Sequence, residues 1–486
     1  MKRIIGKLYI LVLLVLPEIL VSCIPTPENV QKSQEMPSIY PDYCDVTIPV
    51  NIAPLNFLVR DNVEAVYVQA GNIVVSAKGN EVVFGEDEWH ELLASATRHP
   101  SPIIVTVTTL KDGQWTEYQP FEWHVVNDKI DPYLTYRLIE PDYEIWNQIQ
   151  IQQRCVENFD VNAIGHYEQL ENRCMNCHTY GNQSPDLSML YVRGAGGGAI
   201  LNQNGQLRKL NLKTDDMISG SVYFGFSPSG RYITFSTNLI IPGFHSRPDK
   251  RLEVYDNKSD VYVADLQTHT MLRSPLLCDS LKFETFPTFS PDGKYIYYCA
   301  ADSVLLPSHI HQLQYALVRI PFDEKTGTIG TQVDTLVQCA AIHSQQTKTS
   351  VCHPRISPDG RYLLFALGQY GCFHIRHSDA EIYCLPLDKE PAVAVNLKGL
   401  NSEGFADSYP TWSSNGHWIM CSSRRGDGNY SRAYFSYFNN GKAEKAFMLP
   451  QEDPEHNTFR LKCYNRPEFM VEPVKISVEE FSKAIK

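Results

Sequence analysis

Four copies of one turn-and-strand unit, a wealth of aromatic residues and a run of short alternating apolar segments before them predict a mainly β chain ending in a β-propeller. The copies are Phe226-Ser227-Pro228-Ser229-Gly230-Arg231-Tyr232-Ile233, Phe289-Ser290-Pro291-Asp292-Gly293-Lys294-Tyr295-Ile296, Ile356-Ser357-Pro358-Asp359-Gly360-Arg361-Tyr362-Leu363 and Trp412-Ser413-Ser414-Asn415-Gly416-His417-Trp418-Ile419. Their third residues lie 63, 67 and 56 positions apart, a period that suits one four-stranded blade with loop insertions. Proline fixes φ at the turn, Asp or Asn caps it, glycine supplies a positive φ, and alternating aromatic and β-branched residues continue as a strand. A second strand recurs downstream of each copy, at residues 260–265, 315–318, 381–384 and 433–436. Four blades are visible, a degenerate fifth is expected around residues 191–212, and a sixth from the chain ends, giving five or six blades within residues 190–486.

At 486 residues the chain has room for two or three domains. With 27 Tyr, 21 Phe and 6 Trp and only 20% charged residues, it is a folded β-rich protein. A net charge of -12 leaves no basic stripe and argues against nucleic acid as a partner.

The first 23 residues read as an address. Lys2 and Arg3 form a basic start, residues 10–16 are apolar, and Leu20-Val21-Ser22-Cys23 matches a bacterial lipobox in which Cys23 is lipidated after cleavage. An ordinary signal peptide or a membrane anchor is the alternative, but the apolar run is too short to span and Pro17-Glu18 interrupts it. Ile24 stands where lipoproteins kept at the inner membrane carry Asp, so the resemblance to Gram-negative lipoproteins implies outer-membrane sorting. The expected location is the cell envelope, facing the periplasm or the cell surface, with the lipid membrane as one partner.

Residues 24–40 are polar and proline-rich, as a tether would be. Residues 41–135 hold strand-like runs at 63–70, 72–77, 103–109 and 121–126, with Lys111-Asp112-Gly113 as a hairpin turn and one short helix at 86–97. An immunoglobulin-like β-sandwich is the natural reading. Residues 136–189 are expected to form a helical connector, with a helix near 147–158, that carries the one motif with evident chemistry.

That motif is Cys174-Met175-Asn176-Cys177-His178. Cys-x-x-Cys-His is the attachment signature of c-type haem: two thiols add across the vinyl groups, and the imidazole of His178 binds the iron from the proximal side. A redox dithiol belongs at a strand-to-helix junction of a βαβ unit, and structural zinc needs a second ligand pair; the chain holds no second Cys-x-x-Cys. A plain disulfide is the other alternative. Export and haem attachment support each other, because this haem is ligated outside the cytoplasmic membrane. Of the thirteen cysteines, Cys299, Cys384 and Cys421 fall inside strand-like runs and read as small buried hydrophobes.

The repeats resemble TolB-type propeller blades over about residues 190–450. Sialidase Asp boxes need a residue between Asp and Gly, which Asp292-Gly293 and Asp359-Gly360 lack; prolyl oligopeptidases need a Gly-x-Ser-x-Gly hydrolase domain, which has no counterpart here. Taken whole, the chain resembles lipoproteins of Bacteroides-type bacteria that join an N-terminal β-domain, a Cys-x-x-Cys-His motif and a TolB-like propeller. The matching stretches are Asn51-Ile52-Ala53-Pro54-Leu55-Asn56-Phe57, residues 136–141, Cys174 to His178, Glu253-Val254-Tyr255-Asp256 with Ser259-Asp260, and Ser422-Ser423-Arg424-Arg425.

For the distal side of the iron, Met189 lies eleven residues beyond His178, while His245 and His377 are candidates from propeller loops. Met175 sits inside the attachment turn and is excluded. Arg193, which opens the run Gly194-Ala195-Gly196-Gly197-Gly198, is available for a haem propionate; the alternative for this run is a tight connection between strands. Cys352-His353 is half a motif, since Thr349 stands where a first cysteine would be. The favoured function is electron transfer by covalent haem c, with its iron, to a periplasmic or outer-membrane protein. The alternatives are a non-enzymatic propeller scaffold that binds an envelope protein, peptide or glycan, and a haem-dependent oxidoreductase or peroxidase.

Overall fold

Ring closure decides how this chain is put together. In the computed structural model, which describes residues 26–141, 148–247, 250–338 and 350–486, the strand Tyr133–Ile139 pairs antiparallel with Cys463–Met470, from Tyr133 opposite Met470 to Ile139 opposite Cys463. The strands Gln150–Cys155 and Val161–His166 complete this sheet on its outer side. The last long strand of the chain is therefore the innermost strand of a blade whose other three strands precede the rest of the ring.

Five further blades run in chain order, with innermost strands Met175–Tyr180, Ser221–Phe226, Lys282–Phe289, Ser350–Ile356 and Asp407–Trp412; the third and fifth of them carry an added fifth strand and the others have four. We number them one to five, and the closing blade six. Five or six blades within residues 190–486 were expected; the sheets number six, and the closing one takes three of its strands from residues 133–166, ahead of that range. The degenerate blade starts earlier than expected: its four strands span Met175 to Leu210, and Ser184-Pro185-Asp186 forms its turn.

The repeated turn is built as its chemistry demands. Ser290 Oγ donates to Asp292 Oδ1 at 2.6 Å and accepts from Tyr295 N at 3.0 Å, and Gly230, Gly293, Gly360 and Gly416 all have φ near +70°. A helix, Val478–Ile485, opened by a capping box between Ser477 and Glu480, seals the junction of blades six and one by burying Phe481 and Ile485 against Ile151 and Leu190.

The N-terminal domain packs a seven-stranded sheet and a three-stranded sheet with the helix Glu86–Arg98. In Ile103–Lys111, Ile103, Val105 and Val107 are buried while Ile104 is exposed, and Asp112 and Gly113 both take positive φ in the two-residue turn that follows. Trp89 and Trp123 meet edge to face at 5.3 Å, and their ring N–H groups donate to the carbonyls of Ile52 and Tyr43.

One apolar core continues from these tryptophans through Leu134 to Trp418, Phe435 and Phe447 of blade five. Trp418 Nε1 donates to the carbonyl of Asp128, and the Ser414 hydroxyl and amide donate to the Asp131 carboxylate. The two domains thus share a core and a polar seam.

Three expected boundaries move. The tether 24–40 is part of the N-terminal domain from residue 31, because Gln31–Lys32 pairs with Gln114–Glu117 and Ile39–Tyr40 with Phe57–Val59. The β-sandwich segment 41–135 has its last strand at Phe121–Val126, since Tyr133 already belongs to blade six. Among its described residues the connector 136–189 is strand and 3-10 turn, not α-helix: one sheet partner on each side of Gln150–Cys155 outweighs local propensity. Residue 147, where the expected helix begins, and Cys23 lie outside the described residues. No helix among the described residues is long and apolar enough to cross a membrane.

Candidate functional site

Each of the six innermost strands carries a β-bulge where it pairs with its neighbour. In blades two to six the bulge holds a non-glycine residue at positive φ: Tyr223, Phe286, His353, Tyr409 and Arg466. Such conformations cost energy in bulky residues and collect at functional positions. Here they turn five side chains from five blades onto the propeller axis. Phe286 lies 4.5 Å from Tyr223 and 4.0 Å from His353, His353 lies 4.4 Å from Tyr409, and the Arg466 guanidinium sits 5.3 Å above the Tyr223 ring. Together they plug the channel.

In blade one the bulge falls between Met175 and Cys177, inside the Cys-x-x-Cys spacer. The motif is therefore a sheet strand and not the single turn that haem attachment calls for. Cys174 is buried with Ile139, Ile149 and Cys463 beside blade six, whereas Cys177 is buried with Met189, Leu201 and Phe224 towards blade two. The two thiols thus point into separate apolar clusters. Burial holds the Cys174 thiol above its ordinary pKa, the reverse of a thiol poised to react.

His178 pairs with Leu190 and Met189 with Thr179, so in the antiparallel register their side chains take opposite faces of the sheet. Met189 is not placed as a ligand opposite the His178 ring. The cavity that touches both residues holds about 20 Å³, space for roughly one water. His178 is buried, neither ring nitrogen has a hydrogen-bond partner, and burial followed by the charge of Arg466 keeps the ring neutral. An orphaned imidazole suits a missing ligand, but the thiols and the space do not: as folded, Cys174, Cys177 and His178 do not fit a covalent haem.

The remaining sequence candidates are dispersed. Arg193 leaves the second strand of blade one, its amide donating to the Cys174 carbonyl, and the glycines after it form the tight connection to Gly198–Gln203. His245 lies near the end of the long strand Tyr232–Arg247, with its side chain outside the described residues. His377 lies in the loop between the second and third strands of blade four and is 2.9 Å from Glu253. No group of three His, Cys, Asp or Glu among the described residues is arranged to hold a metal ion.

That loop belongs to a polar lock across the ring. The second and third strands of blade two, Tyr232–Arg247 and Lys250–Asp265, extend as a long arm. Glu253 on the arm accepts from Tyr370 at 2.8 Å and meets His377, and Asp256 accepts from Asn238 at 2.8 Å and from the Cys372 thiol at 3.5 Å. All of these are buried. Burial, only partly offset by the hydrogen bonds from Asn238 and Cys372, raises the Asp256 pKa to about 7.

Beside the lock, His374 donates from Nε2 to the Gly371 carbonyl, and the Cys352 thiol lies between His374 Nδ1 at 3.1 Å and His353 Nδ1 at 2.9 Å. Burial lowers the His374 pKa to about 3 and raises that of Cys352, so this group is neutral throughout. The Cys352-His353 dipeptide and the stretch Glu253 to Asp256 were visible in the sequence; their convergence was not, because Glu253 and His377 are 124 residues apart. All eleven described cysteines are free, Cys299, Cys384 and Cys421 among them as buried apolar residues.

A cleft of about 1000 Å³ opens between the N-terminal domain and blade five, lined in part by Tyr40, Arg60, Lys398, Arg425, Tyr430 and Lys445. Arg425 is spent on Asp407 at 2.9 Å and Lys445 on Asp42 at 2.9 Å. Arg60 stacks 5.1 Å from the Tyr40 ring and, like Lys398, is exposed.

Neither protein-family models nor curated protein sequences give a match to this chain. Among solved structures, TolB from Acinetobacter baumannii is similar at 12% identity and a TM-score of 0.45, over 75% of this chain and 79% of that one. Prolyl oligopeptidase B from Galerina marginata, bound to a 25mer macrocyclization substrate, is similar at 10% identity and a TM-score of 0.35, over 66% of this chain and 45% of that one. A DUF4784 family protein from Bacteroides caccae is similar at 7% identity and a TM-score of 0.31, over 76% and 96%. These likenesses extend to architecture and no further, and the six-bladed propeller stands on the strand pairing described above.

Proposed function

We propose that this chain is a non-enzymatic binding scaffold of the cell envelope, held to the membrane by lipid on Cys23, that docks a periplasmic or outer-membrane protein, a peptide or a glycan. The observation that carries this reading is the cleft of about 1000 Å³ between the N-terminal domain and blade five. Ligand sites favour such domain junctions, and a core common to both sides keeps this one preformed. Its free cations, Arg60 and Lys398, stand beside Tyr40 and Tyr430, a combination suited to polar partners with exposed acceptors.

Electron transfer through haem c on Cys174 and Cys177 is the weaker reading, because the thiols point apart and the space at His178 is about 20 Å³. A photo-crosslinking residue at Lys398, compared with one at the exposed Val74, tests the scaffold in envelopes of the native host. A discrete adduct from position 398 alone supports it, and equal labelling from both positions refutes it. A pyridine haemochrome spectrum after co-expression with a c-type maturation system should show no covalent haem; a c-type band would return the electron-transfer reading.

A further inference from the structure

The plug on the propeller axis holds a charge with no counter-ion. Among the described residues, no carboxylate, carbonyl or hydroxyl accepts a hydrogen bond from the Arg466 guanidinium, which is 5% exposed, and its Nη1 has no partner at all. Among the described residues the guanidinium lies over the face of Tyr223. Glu468, two residues on, is taken by Arg355 at 2.7 Å. A buried guanidinium without an acceptor is costly, and such a group points to a ligand that the site is built to receive.

A second orphan faces the same ring. His353 lies 6.4 Å from Tyr223, and its Nε2 has no partner. The hydrogen-bond chain assigns its protons. His374 uses its Nε2–H on the Gly371 carbonyl, so its Nδ1 accepts from the Cys352 thiol; the sulfur then accepts from His353 Nδ1–H, which leaves His353 Nε2 a bare acceptor. The plug thus offers a cationic donor and a neutral acceptor, framed by Phe286 and Tyr409. Tyr223 and Arg355, beside them, are partly exposed to solvent.

We propose that the channel binds a carboxylate with a neighbouring N–H or O–H donor and an apolar substituent: the carboxylate on Arg466, the donor on His353 Nε2, the substituent against Phe286 and Tyr409. The carboxyl end of a polypeptide and a free hydroxy acid both have this chemistry. This site is distinct from the cleft beside blade five, and its test stands independently of that reading.

Titration calorimetry on the full chain uses N-acetylphenylalanine, its C-terminal amide and phenyllactate as probes. The acid should bind saturably and the amide at least tenfold more weakly. Arg466→Gln should lose the acid at least tenfold, and Arg466→Lys, which keeps the charge, should retain part of the affinity. Phenyllactate binding more tightly than N-acetylphenylalanine identifies a free hydroxy acid as the source, and the reverse order a peptide end. Equal binding of acid and amide, or no binding of either acid at millimolar concentration, overturns the proposal. Both comparisons use the wild-type chain, so they decide the matter even if Arg466→Gln does not fold.

Discussion

Replacing Asp256 by Asn should make the protein more stable, and increasingly so as the pH rises. Asp256 is fully buried, accepts from Asn238 and Cys372 through Oδ2, and has no partner on Oδ1. Its pKa rises from 3.8 to about 7 in the fold. The folded state thus holds a proton that the unfolded chain has released, and the favourable difference is fully present only below the unfolded value. Stability is lost as the pH climbs from about 4 through 7.

At about 1.4 kcal/mol per pKa unit the cost of the native carboxylate reaches about 4 kcal/mol at pH 8 and stays below about 2 kcal/mol at pH 5. An amide of the same shape keeps the accepting oxygen and cannot ionise. Urea unfolding followed by tryptophan fluorescence at the two pH values should therefore show the advantage of Asp256→Asn growing by about 3 kcal/mol from pH 5 to pH 8. His374, whose lowered pKa removes stability as the pH falls, acts in both proteins and cancels in the comparison. An advantage that is constant or shrinks with pH would refute the reading of Asp256 as a buried, uncompensated acid.

Three further outcomes follow from the packing. Cys177→Ser should cost about 1–3 kcal/mol in unfolding free energy, because the hydroxyl lies among Met189, Leu201 and Phe224 with nothing to bond; calorimetry or urea unfolding measures it, and a neutral substitution would contradict this packing. Ending the chain after residue 462 removes the innermost strand of blade six and the terminal helix, and should abolish the cooperative unfolding transition seen by calorimetry. Cys23→Ser should move the protein from the membrane fraction to the soluble fraction of the envelope on cell fractionation.

The blades were legible because their information is local: serine, proline, aspartate and glycine at fixed offsets build the same turn wherever they occur, and Gly293 and Gly360 adopt the φ that their position demands. Ring closure was legible only in outline, since nothing near Cys463 names Ile139 as its partner. At the candidate site a spacing does not specify a conformation. Cys-x-x-Cys-His fixes which residues are present, but the strands before and after it in the ring decide the backbone, and here pairing with Leu187–Val192 makes it a bulged strand. The axis plug has a sequence trace in hindsight: Phe286-Pro287, His353-Pro354, Tyr409-Pro410 and Arg466-Pro467 are one recurring dipeptide with a variable first residue. The lock between Glu253 and His377 left no such trace, because no periodicity connects an arm of blade two to a loop of blade four.

The central claim is that Cys174 and Cys177 are buried apolar residues, the first packed between blades one and six and the second in the core between blades one and two. Alkylation of the chain with iodoacetamide, once native and once in urea, followed by peptide mass mapping, tests it most directly. The account predicts two free thiols that resist the reagent in the native protein and react fully once unfolded. Haem-bearing thioethers at either position, a bond between the two sulfurs, or rapid labelling of the native protein would contradict it.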